Sequence, residues 1–336
     1  MHNTIRHPTK NLKMIARRKF IQKIGLGSVL ASQAASLVAT KVYTEKPITI
    51  GIIGAENSHT AGYGKLFNID KKFPGVDVKY VWGETDDFAA KAMKAGQIPL
   101  QVKDPREMLG KINALIVDHR HAKYHLTAAY PFIEAGIPTF IDKPFCYRSA
   151  EGKEFLEMAR KKGTPVSSYS AIAHTDGTFE LKEKIKSIKD IHQVVCTGTA
   201  DLDSEYGGIF FYGVHIIEPL MYVFGEDITE VKVTRNHHQG SANIRFASGL
   251  FATIIFKTKA YGWETFIETN SGFIQLKPTV AETEPGRNYK DMVEMFKSGK
   301  EPRPHQSILN GISVLEALES SASTEKLTEV IYQKLN

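Results

Sequence analysis

Short apolar runs alternate with helical stretches through the first half of the chain. Runs rich in Val and Ile that end in glycine or a polar residue are typical of buried parallel strands. The predicted strands cover residues 47–54, 76–82, 114–117, 138–141 and 165–169. The predicted helices cover residues 61–70, 87–95, 124–135 and 151–162, with a short helical start at 104–109. Strict alternation of this kind predicts an α/β domain with a doubly wound parallel sheet over residues 46–167.

The second half, residues 168–336, is rich in strands. Its predicted strands cover residues 193–198, 228–235, 241–246, 249–257, 265–269 and 272–276. Glycine-containing turns at 247–249 and 270–272 predict two hairpins. Helices are expected at 214–224, 289–298 and 306–323, the last of them in position to pack back on the first domain. We therefore expect an α+β domain with a large, mostly antiparallel open sheet.

Composition and charge narrow the class of protein. With 24% charged and 42% hydrophobic residues, the 336-residue chain is ordinary for a soluble globular protein. The net charge of +6 is uneven, because residues 1–40 hold seven of the 43 basic residues and no acid. The remaining chain carries 36 basic residues against 37 acids, so no electrostatic case for a nucleic-acid partner remains.

The basic leader has the pattern of an export signal. Arg17 and Arg18 precede Phe20 and a short apolar stretch at residues 24–39. Paired arginines followed by such a stretch predict a twin-arginine signal peptide over residues 1–40, with cleavage near Ala39. The mature protein is then expected in the periplasm with no stable membrane span. A membrane anchor or a basic amphipathic helix is the alternative, and an uncleaved leader would tether the protein to the membrane.

Neither cysteine nor histidine spacing predicts a metal site. Cys146 and Cys196 fit no metal-ligand spacing, and their predicted positions in a loop and in a strand of the second domain argue against a disulfide. His121 and His125 share a helix face, but no third ligand stands at a suitable spacing. We expect this histidine cluster to lie at a helix N-terminus, beside the ligand-binding edge of the first domain, rather than to bind a metal.

Three groups of residues carry a family resemblance. They are Gly51-Ile52-Ile53-Gly54, then Glu134-Ala135-Gly136-Ile137-Pro138 leading to Ile141-Asp142-Lys143-Pro144, and Gly207-Gly208 followed by Gly213-Val214-His215. In this order and separation they resemble the glucose–fructose oxidoreductase/inositol dehydrogenase (Gfo/Idh/MocA) family over roughly residues 46–330. The resemblance implies that residues 46–167 are a Rossmann dinucleotide-binding domain and that residues 168–336 bind substrate and support oligomerisation. It also implies a nicotinamide cofactor (NAD or NADP), a small-molecule carbohydrate such as a sugar or cyclitol as substrate, and a homo-oligomer.

The resemblance assigns catalytic roles unevenly. Lys143 matches the lysine of the family's Glu-Lys-Pro motif, with Asp142 in place of the usual Glu. His215 matches the histidine of the second-domain motif and is the expected base at the head of an amphipathic helix. Phe211 stands where the family often has Asp, whereas Glu218 matches a familiar acidic position. Lys143 and His215 are the predicted catalytic residues.

The loop after the first strand departs from the dinucleotide fingerprint. Of Gly-x-Gly-x-x-Gly it keeps Gly54, while Glu56 and His59 stand at the later glycine positions. Glu84, or alternatively Gly83, aligns with the acid that holds a ribose, and Arg120 could offset phosphate charge. The expected cofactor-binding residues are Gly54, Asn57, Ser58, His59, Glu84, His119 and Lys143.

A polyol substrate needs converging hydrogen-bond donors and acceptors. The expected substrate-binding residues are Tyr169, His174, Glu205, Tyr206 and His215. The predicted function is an NAD(P)-dependent oxidoreductase acting on a sugar, cyclitol or sugar derivative. Two alternatives stay open: an NAD-dependent hydrolase or lyase that cleaves glycosides by oxidation and elimination, and a non-catalytic sugar-binding protein.

Overall fold

The computed structural model describes residues 47–259 and 261–336. The predicted signal peptide and its cleavage near Ala39 lie outside the described residues. Within that part of the chain, no helix is both long and apolar enough to cross a membrane.

The first sheet has six parallel strands. They are β1 (Ile48–Ile53), β2 (Val76–Trp82), β3 (Leu100–Gln101), β4 (Ala114–Val117), β5 (Thr139–Ile141) and β6 (Val166–Ser167). Their order across the sheet is β3-β2-β1-β4-β5-β6, so the chain starts at the centre and winds outward in both directions. The helices between them are α1 (Ser58–Gly64), α2 (Asp86–Gly96), α3 (His125–Glu134) and α4 (Ser149–Lys162). The predicted Rossmann sheet is confirmed.

The second sheet has seven strands. They are β7 (Gln193–Thr199), β8 (Ile228–Asn236), β9 (Gln239–Phe246), β10 (Phe251–Lys257), β11 (Glu264–Thr269), β12 (Gly272–Leu276) and β13 (Thr328–Glu329). Their order is β12-β11-β7-β10-β9-β8-β13, and the pair β7–β10 is parallel whereas the others are antiparallel. The predicted α+β fold is confirmed, as are both hairpins, β9–β10 and β11–β12.

Four helices accompany this sheet, and sequence reasoning misjudged two of them. They are α5 (Asp176–Ile185), α6 (Ile209–Phe224), α7 (Arg287–Ser298) and α8 (His305–Thr324). Helix α5 was not predicted. Helix α6 begins five residues before the predicted start at 214, and nearly all of its residues are buried. His215 therefore lies in the second turn of a core helix, not at the head of an amphipathic one, because a uniformly apolar segment has no periodicity that marks its start.

Helix α7, which follows the second sheet in the chain, packs against the first sheet. On α7, Met292, Val293, Met295 and Phe296 pack in the same apolar cluster as Ile50 and Ile52 of β1. Cys146 and Cys196 are both buried and free, as expected. The residues that follow β1, β2, β4 and β5 all meet at one edge of the first sheet, because the carboxyl ends of parallel strands point the same way.

Candidate functional site

Buried polar groups converge where β1, β4 and β5 end. Asn57 Nδ2 donates hydrogen bonds to Asp118 Oδ1 at 2.9 Å and to Asp142 Oδ2 at 3.3 Å. Burial, reinforced by the Asp142 charge, raises the pKa of Asp118 well above its usual range. Burial also opposes ionisation of Asp142, but nearby Lys143 and His59 outweigh it and lower the pKa of that carboxyl. The two shifts have opposite directions, so Asp142 loses its proton before Asp118 as the pH rises.

His59, Asp118 and Asp142 place one ligand atom each within 4.8 Å of one another. A metal is not needed to explain this cluster. Thr60 Oγ1 lies 2.5 Å from Asp118 Oδ2, and His59 Nδ1 lies 3.1 Å from Asp142 Oδ2. Because Asn57 also directs its amide hydrogens at both carboxylates, the group is a hydrogen-bonded network, and we assign no metal to it.

Lys143 and His215 come together in a cleft beside this network. We use "the cleft" for two adjoining cavities of about 370 and 160 Å³ that share Ser58, His59, Lys143, His215 and Tyr261. Lys143 is 5% exposed, and its Nζ lies 3.7 Å from Asp142 Oδ2. The same Nζ lies 5.2 Å from the centre of the Phe211 ring, which occupies the position where the resemblance led us to look for an acid. The Lys143–Pro144 peptide bond is cis.

His215 is held from behind by a serine that the sequence did not single out. Ser170 Oγ lies 2.7 Å from His215 Nδ1, and both residues are buried. Burial first, and then the positive charge of Lys143, lower the pKa of His215 to about 3. The imidazole is therefore neutral at physiological pH, with Nε2 as the ring nitrogen left for the cleft.

Glu218 anchors the serine instead of facing the cleft. Its Oε2 accepts the backbone N–H of Ser170 at 2.5 Å, and its Oε1 lies 2.8 Å from Arg303 Nη1. Both carboxylate oxygens are thus engaged by groups on other segments. The acidic position that matches the family pattern is a structural support for the loop that carries Ser170.

The loop after β1 is closed by Glu84. Gly54 has φ +112°, and a Cβ there would lie 2.6 Å from the carbonyl carbon of Asp118. The backbone N–H groups of Ala55 and Glu56 both donate to Glu84 Oε2 at 2.9 Å. The other oxygen, Glu84 Oε1, is buried with no hydrogen-bond partner among the described residues.

Glu56 turns away from its own loop. Its Oε1 accepts a hydrogen bond from the Tyr206 hydroxyl at 2.7 Å, and Arg120 Nη1 donates to that hydroxyl at 3.2 Å. The Arg120 guanidinium lies 4.2 Å from the centre of the Tyr206 ring. We call Glu56, Tyr206 and Arg120 the bridge, because it joins two loops of the first sheet to the segment before α6.

The remaining predicted residues fall in different places. His119 is buried after β4, where its ring packs 5.7 Å from that of Trp82, and its Nδ1 has no partner within the described part of the chain. Burial, then His125, lowers the pKa of His119 to about 3. Tyr169 lines the smaller cavity of the cleft and donates its hydroxyl proton to the Asn288 carbonyl.

Two predicted substrate residues line other cavities. His174 Nε2 lies 2.7 Å from Asp291 Oδ2, and its side chain lines a separate cavity with Tyr222. Glu205 lines another cavity, together with Glu319. Neither cavity contains Lys143 or His215. Their polar side chains suggested both residues, but the turn of each loop decides which way a side chain points.

Comparisons with known proteins agree with this fold. Residues 48–170 match a family model described as "Oxidoreductase family, NAD-binding Rossmann fold". The match covers the first sheet, which is less than half of the chain, and likens that part to the Gfo/Idh/MocA oxidoreductases. An uncharacterized oxidoreductase of Escherichia coli strain K12, YhhX, is 27% identical over 122 residues, which are 33% of this chain and 35% of that relative. The match thus spans about a third of the relative's length.

Solved structures extend the likeness to both sheets. Myo-inositol dehydrogenase from Lactobacillus casei, solved with NAD(H) and myo-inositol, has a TM-score of 0.73 at 13% identity, covering 86% of this chain and 98% of that one. Myo-inositol 2-dehydrogenase from Lactobacillus plantarum has a TM-score of 0.71 at 16% identity, covering 85% and 100%. A probable dehydrogenase from Thermotoga maritima has a TM-score of 0.67 at 20% identity, covering 84% and 100%. At these identities, they establish the shared fold.

Proposed function

We propose that this protein is an NAD-dependent oxidoreductase that interconverts a hydroxyl and a carbonyl group of a sugar, cyclitol or sugar derivative. One observation carries the proposal: Lys143 and His215, 72 positions apart in the sequence, line the same buried cleft at the carboxyl edge of a Rossmann sheet. The family-model match over residues 48–170 and structural neighbours named as inositol dehydrogenases support it.

The residues present are compatible with a dinucleotide. The loop from Gly54 to His59 and the end of β2 would hold it. Glu84 Oε1 is buried without a partner among the described residues, so it lacks a hydrogen-bond donor that a ribose hydroxyl would supply. A phosphate on that ribose would instead meet a carboxylate, and this favours NAD over NADP. Glu56 would repel the dinucleotide phosphates less than its position suggests, because its carboxylate turns away and accepts a hydrogen bond from Tyr206.

The chemistry divides between the cofactor and the chain. A bound nicotinamide supplies the hydride acceptor or donor. Lys143, buried at the cleft, places an ammonium where negative charge develops on the reacting oxygen. His215 adds a second hydrogen bond to the same oxygen through Nε2, because its Nδ1 is taken by Ser170. The low exposure of both residues keeps water from competing for those bonds.

The lining of the cleft suits a polyol. The smaller cavity adds Tyr63, Tyr169, Tyr289 and Asn288 to the shared residues. Tyrosine rings offer flat apolar faces, while hydroxyl and amide groups offer hydrogen bonds. A ring that carries several hydroxyl groups has both kinds of surface, and this supports the carbohydrate class of substrate.

A second candidate keeps the same site. In an oxidation–elimination reaction the hydride returns to the product, so the cofactor never has to leave. The bridge ties the loop after β1 to the segment before α6. Because this tie would slow the release of cofactor, it favours the second candidate. Analysis of net products separates the two: a plain dehydrogenase accumulates a ketone or alcohol, whereas the second reaction accumulates a cleaved glycoside and no net NADH.

The first experiment measures cofactor. The full chain is purified and denatured, and released dinucleotide is identified by mass. NAD and NADP are then titrated into stripped protein by calorimetry, and sugars and cyclitols are screened for NADH formation. We expect NAD to bind more tightly than NADP. Failure to find or bind either dinucleotide would refute the proposal and leave a non-catalytic sugar-binding protein.

The catalytic assignment is tested by substitution. Lys143→Met and His215→Asn should each retain cofactor binding and lose about 10²- to 10⁴-fold in turnover, because each removes a group that contacts the reacting oxygen. Lys123→Met is the matched control, since Lys123 is exposed beside the same sheet edge and should turn over normally. Near-normal turnover by Lys143→Met would reject the assignment.

A further inference from the structure

Ser170 is surrounded by hydrogen-bond donors. It lies in the loop after β6 and is fully buried. Its Oγ accepts the backbone N–H of Ile172 at 3.2 Å and that of Ala173 at 3.4 Å. The same Oγ lies 2.7 Å from His215 Nδ1.

The hydrogen positions on Ser170 and His215 follow from the number of donors and acceptors at Ser170 Oγ. A backbone N–H can only donate, so both of these contacts use oxygen lone pairs of Ser170. The single hydroxyl hydrogen of Ser170 then remains for His215, and Nδ1 must accept it. A neutral imidazole that accepts at Nδ1 carries its own hydrogen on Nε2. The nitrogen left for the cleft is therefore a hydrogen-bond donor.

We propose that Ser170 is a positioning residue that fixes His215 in the Nε2–H tautomer, so that His215 holds the reacting oxygen as a donor while Lys143 exchanges the proton. This deepens the proposed function, on which its catalytic consequence rests. It revises the sequence-based expectation that His215 is the base. Ser170 takes over the orienting role for which the resemblance suggests an acid at position 211, where Phe211 stands.

The proton balance follows from that assignment. In the reducing direction, a hydride reaches the carbonyl carbon, the Lys143 ammonium gives one proton to the oxygen, and the amine remains. His215 keeps its Nε2 hydrogen throughout. In the oxidising direction, the amine of Lys143 takes the hydroxyl proton. Loss of a proton by neutral His215 would create an imidazolate, so the Lys143 ammonium is the better acid of the two.

The surroundings of His215 keep it neutral. The charged or titratable groups that act on it are Lys143, Asp142 and His59, and the rings of Tyr212 and Tyr261 lie 6.1 Å away. Lys143 and His59 oppose protonation, whereas Asp142 favours it, and burial outweighs Asp142. The Nε2–H tautomer should therefore persist without titrating between about pH 5 and 8.

The test is NMR of the purified protein labelled with ¹³C and ¹⁵N in histidine, with the His215 signals assigned from a His215→Asn sample. We expect a protonated Nε2 and an unprotonated Nδ1 across that pH range. Ser170→Ala should lose the donor to Nδ1 and populate the other tautomer. Ser168→Ala is the control: this serine is buried two residues earlier, and its hydroxyl has no partner in the described part of the chain.

If His215 in the wild-type protein carries its proton on Nδ1, or is an imidazolium at neutral pH, the inference is overturned without any variant. No substrate or cofactor is needed, so this result is separate from success or failure of the proposed function. Once a turned-over polyol is known, Ser170→Ala should lower kcat about ten-fold, the worth of one hydrogen bond, with KM little changed. Unchanged kcat would remove the catalytic consequence.

Discussion

At the scale of single residues, the site depends on positions where the surroundings allow only one backbone conformation or one protonation state. Gly54 is such a position, because φ +112° and the nearby carbonyl of Asp118 both exclude a side chain. Asp118 and Asp142 are another, since two adjacent buried carboxyls cannot both ionise. The strand end thus sets a tight loop and a single buried negative charge before any ligand is considered.

Gly54→Ala should lower the free energy of unfolding by about 3 kcal/mol, the sum of left-handed strain and overpacking. Gly110→Ala is the matched control: it also has positive φ, +74°, but nothing lies within 4 Å of its Cβ position. That change should cost only about 1 kcal/mol. Urea unfolding measures both, and equal costs would show that the contact with Asp118 is not what constrains Gly54.

At the scale of elements, the cleft is assembled by segments that pack against the first sheet from the second half of the chain. Helix α6 brings His215 and Glu218, and the loop after β6 brings Ser170 to the same helix. Arg303, just before α8, completes the buried pair with Glu218. Glu218 therefore ties α6 both to the segment before α8 and to the loop that carries Ser170, on which the geometry of His215 depends.

Arg303→Met should destabilise the protein by about 3–5 kcal/mol, because it leaves a buried carboxylate unpaired. Adding Glu218→Gln should recover most of the loss, since the amide oxygen still accepts the Ser170 N–H and carries no charge. Lys186→Met, which breaks the exposed pair with Glu183, should cost less than about 1 kcal/mol. If the double variant is no more stable than Arg303→Met, the unpaired charge is not the cause.

At the scale of the whole molecule, the two sheets are joined across the cleft by the bridge and by packing of α7 on β1. The bridge is a polar contact at the cofactor loop. Hydrogen bonding to Glu56, helped by burial, raises the pKa of Tyr206 to about 12, so its hydroxyl stays a donor at any physiological pH. Cofactor exchange would then be gated by a contact that the pH of the cell leaves intact.

Tyr206→Phe removes the hydroxyl and keeps the ring beneath Arg120. If the bridge retains the cofactor, release of NADH should be about ten-fold faster, which corresponds to one hydrogen bond to a charged group. Stopped-flow fluorescence measures the release, and Tyr124→Phe, at an exposed tyrosine near the same edge, serves as the control. An unchanged release rate would show that the bridge does not gate exchange.

Buried histidines make the stability of the molecule depend on pH. Burial lowers the pKa of His119, His125 and His215 below the ordinary value of 6.5. The unfolded chain therefore binds more protons below about pH 6.5, so stability is full above that pH and is lost as the pH falls. Each histidine that stays neutral in the folded protein should lower the free energy of unfolding by roughly 2 kcal/mol as the pH falls from 7 to 5.

His119→Phe should shrink that pH-dependent difference in unfolding free energy by about 2 kcal/mol, because one buried titrating group is gone. His237→Asn, at an exposed position, should leave the difference nearly unchanged. Urea unfolding at pH 7 and pH 5 gives the comparison. An identical pH dependence in His119→Phe and the parent would mean that His119 does not stay neutral in the folded protein.

Local patterns in the sequence determined the strands, the Rossmann winding and the strand-rich second half, because apolar runs and turn glycines are read over a few residues. They also indicated Lys143 and His215, which lie in short motifs. Only tertiary structure decided that Ser170 orients His215, that Glu84 closes the loop at Gly54, and that Glu56 bonds Tyr206. These contacts join residues 28 to 150 positions apart. Their partners are chosen by packing across the two sheets, and no local periodicity or propensity carries that information.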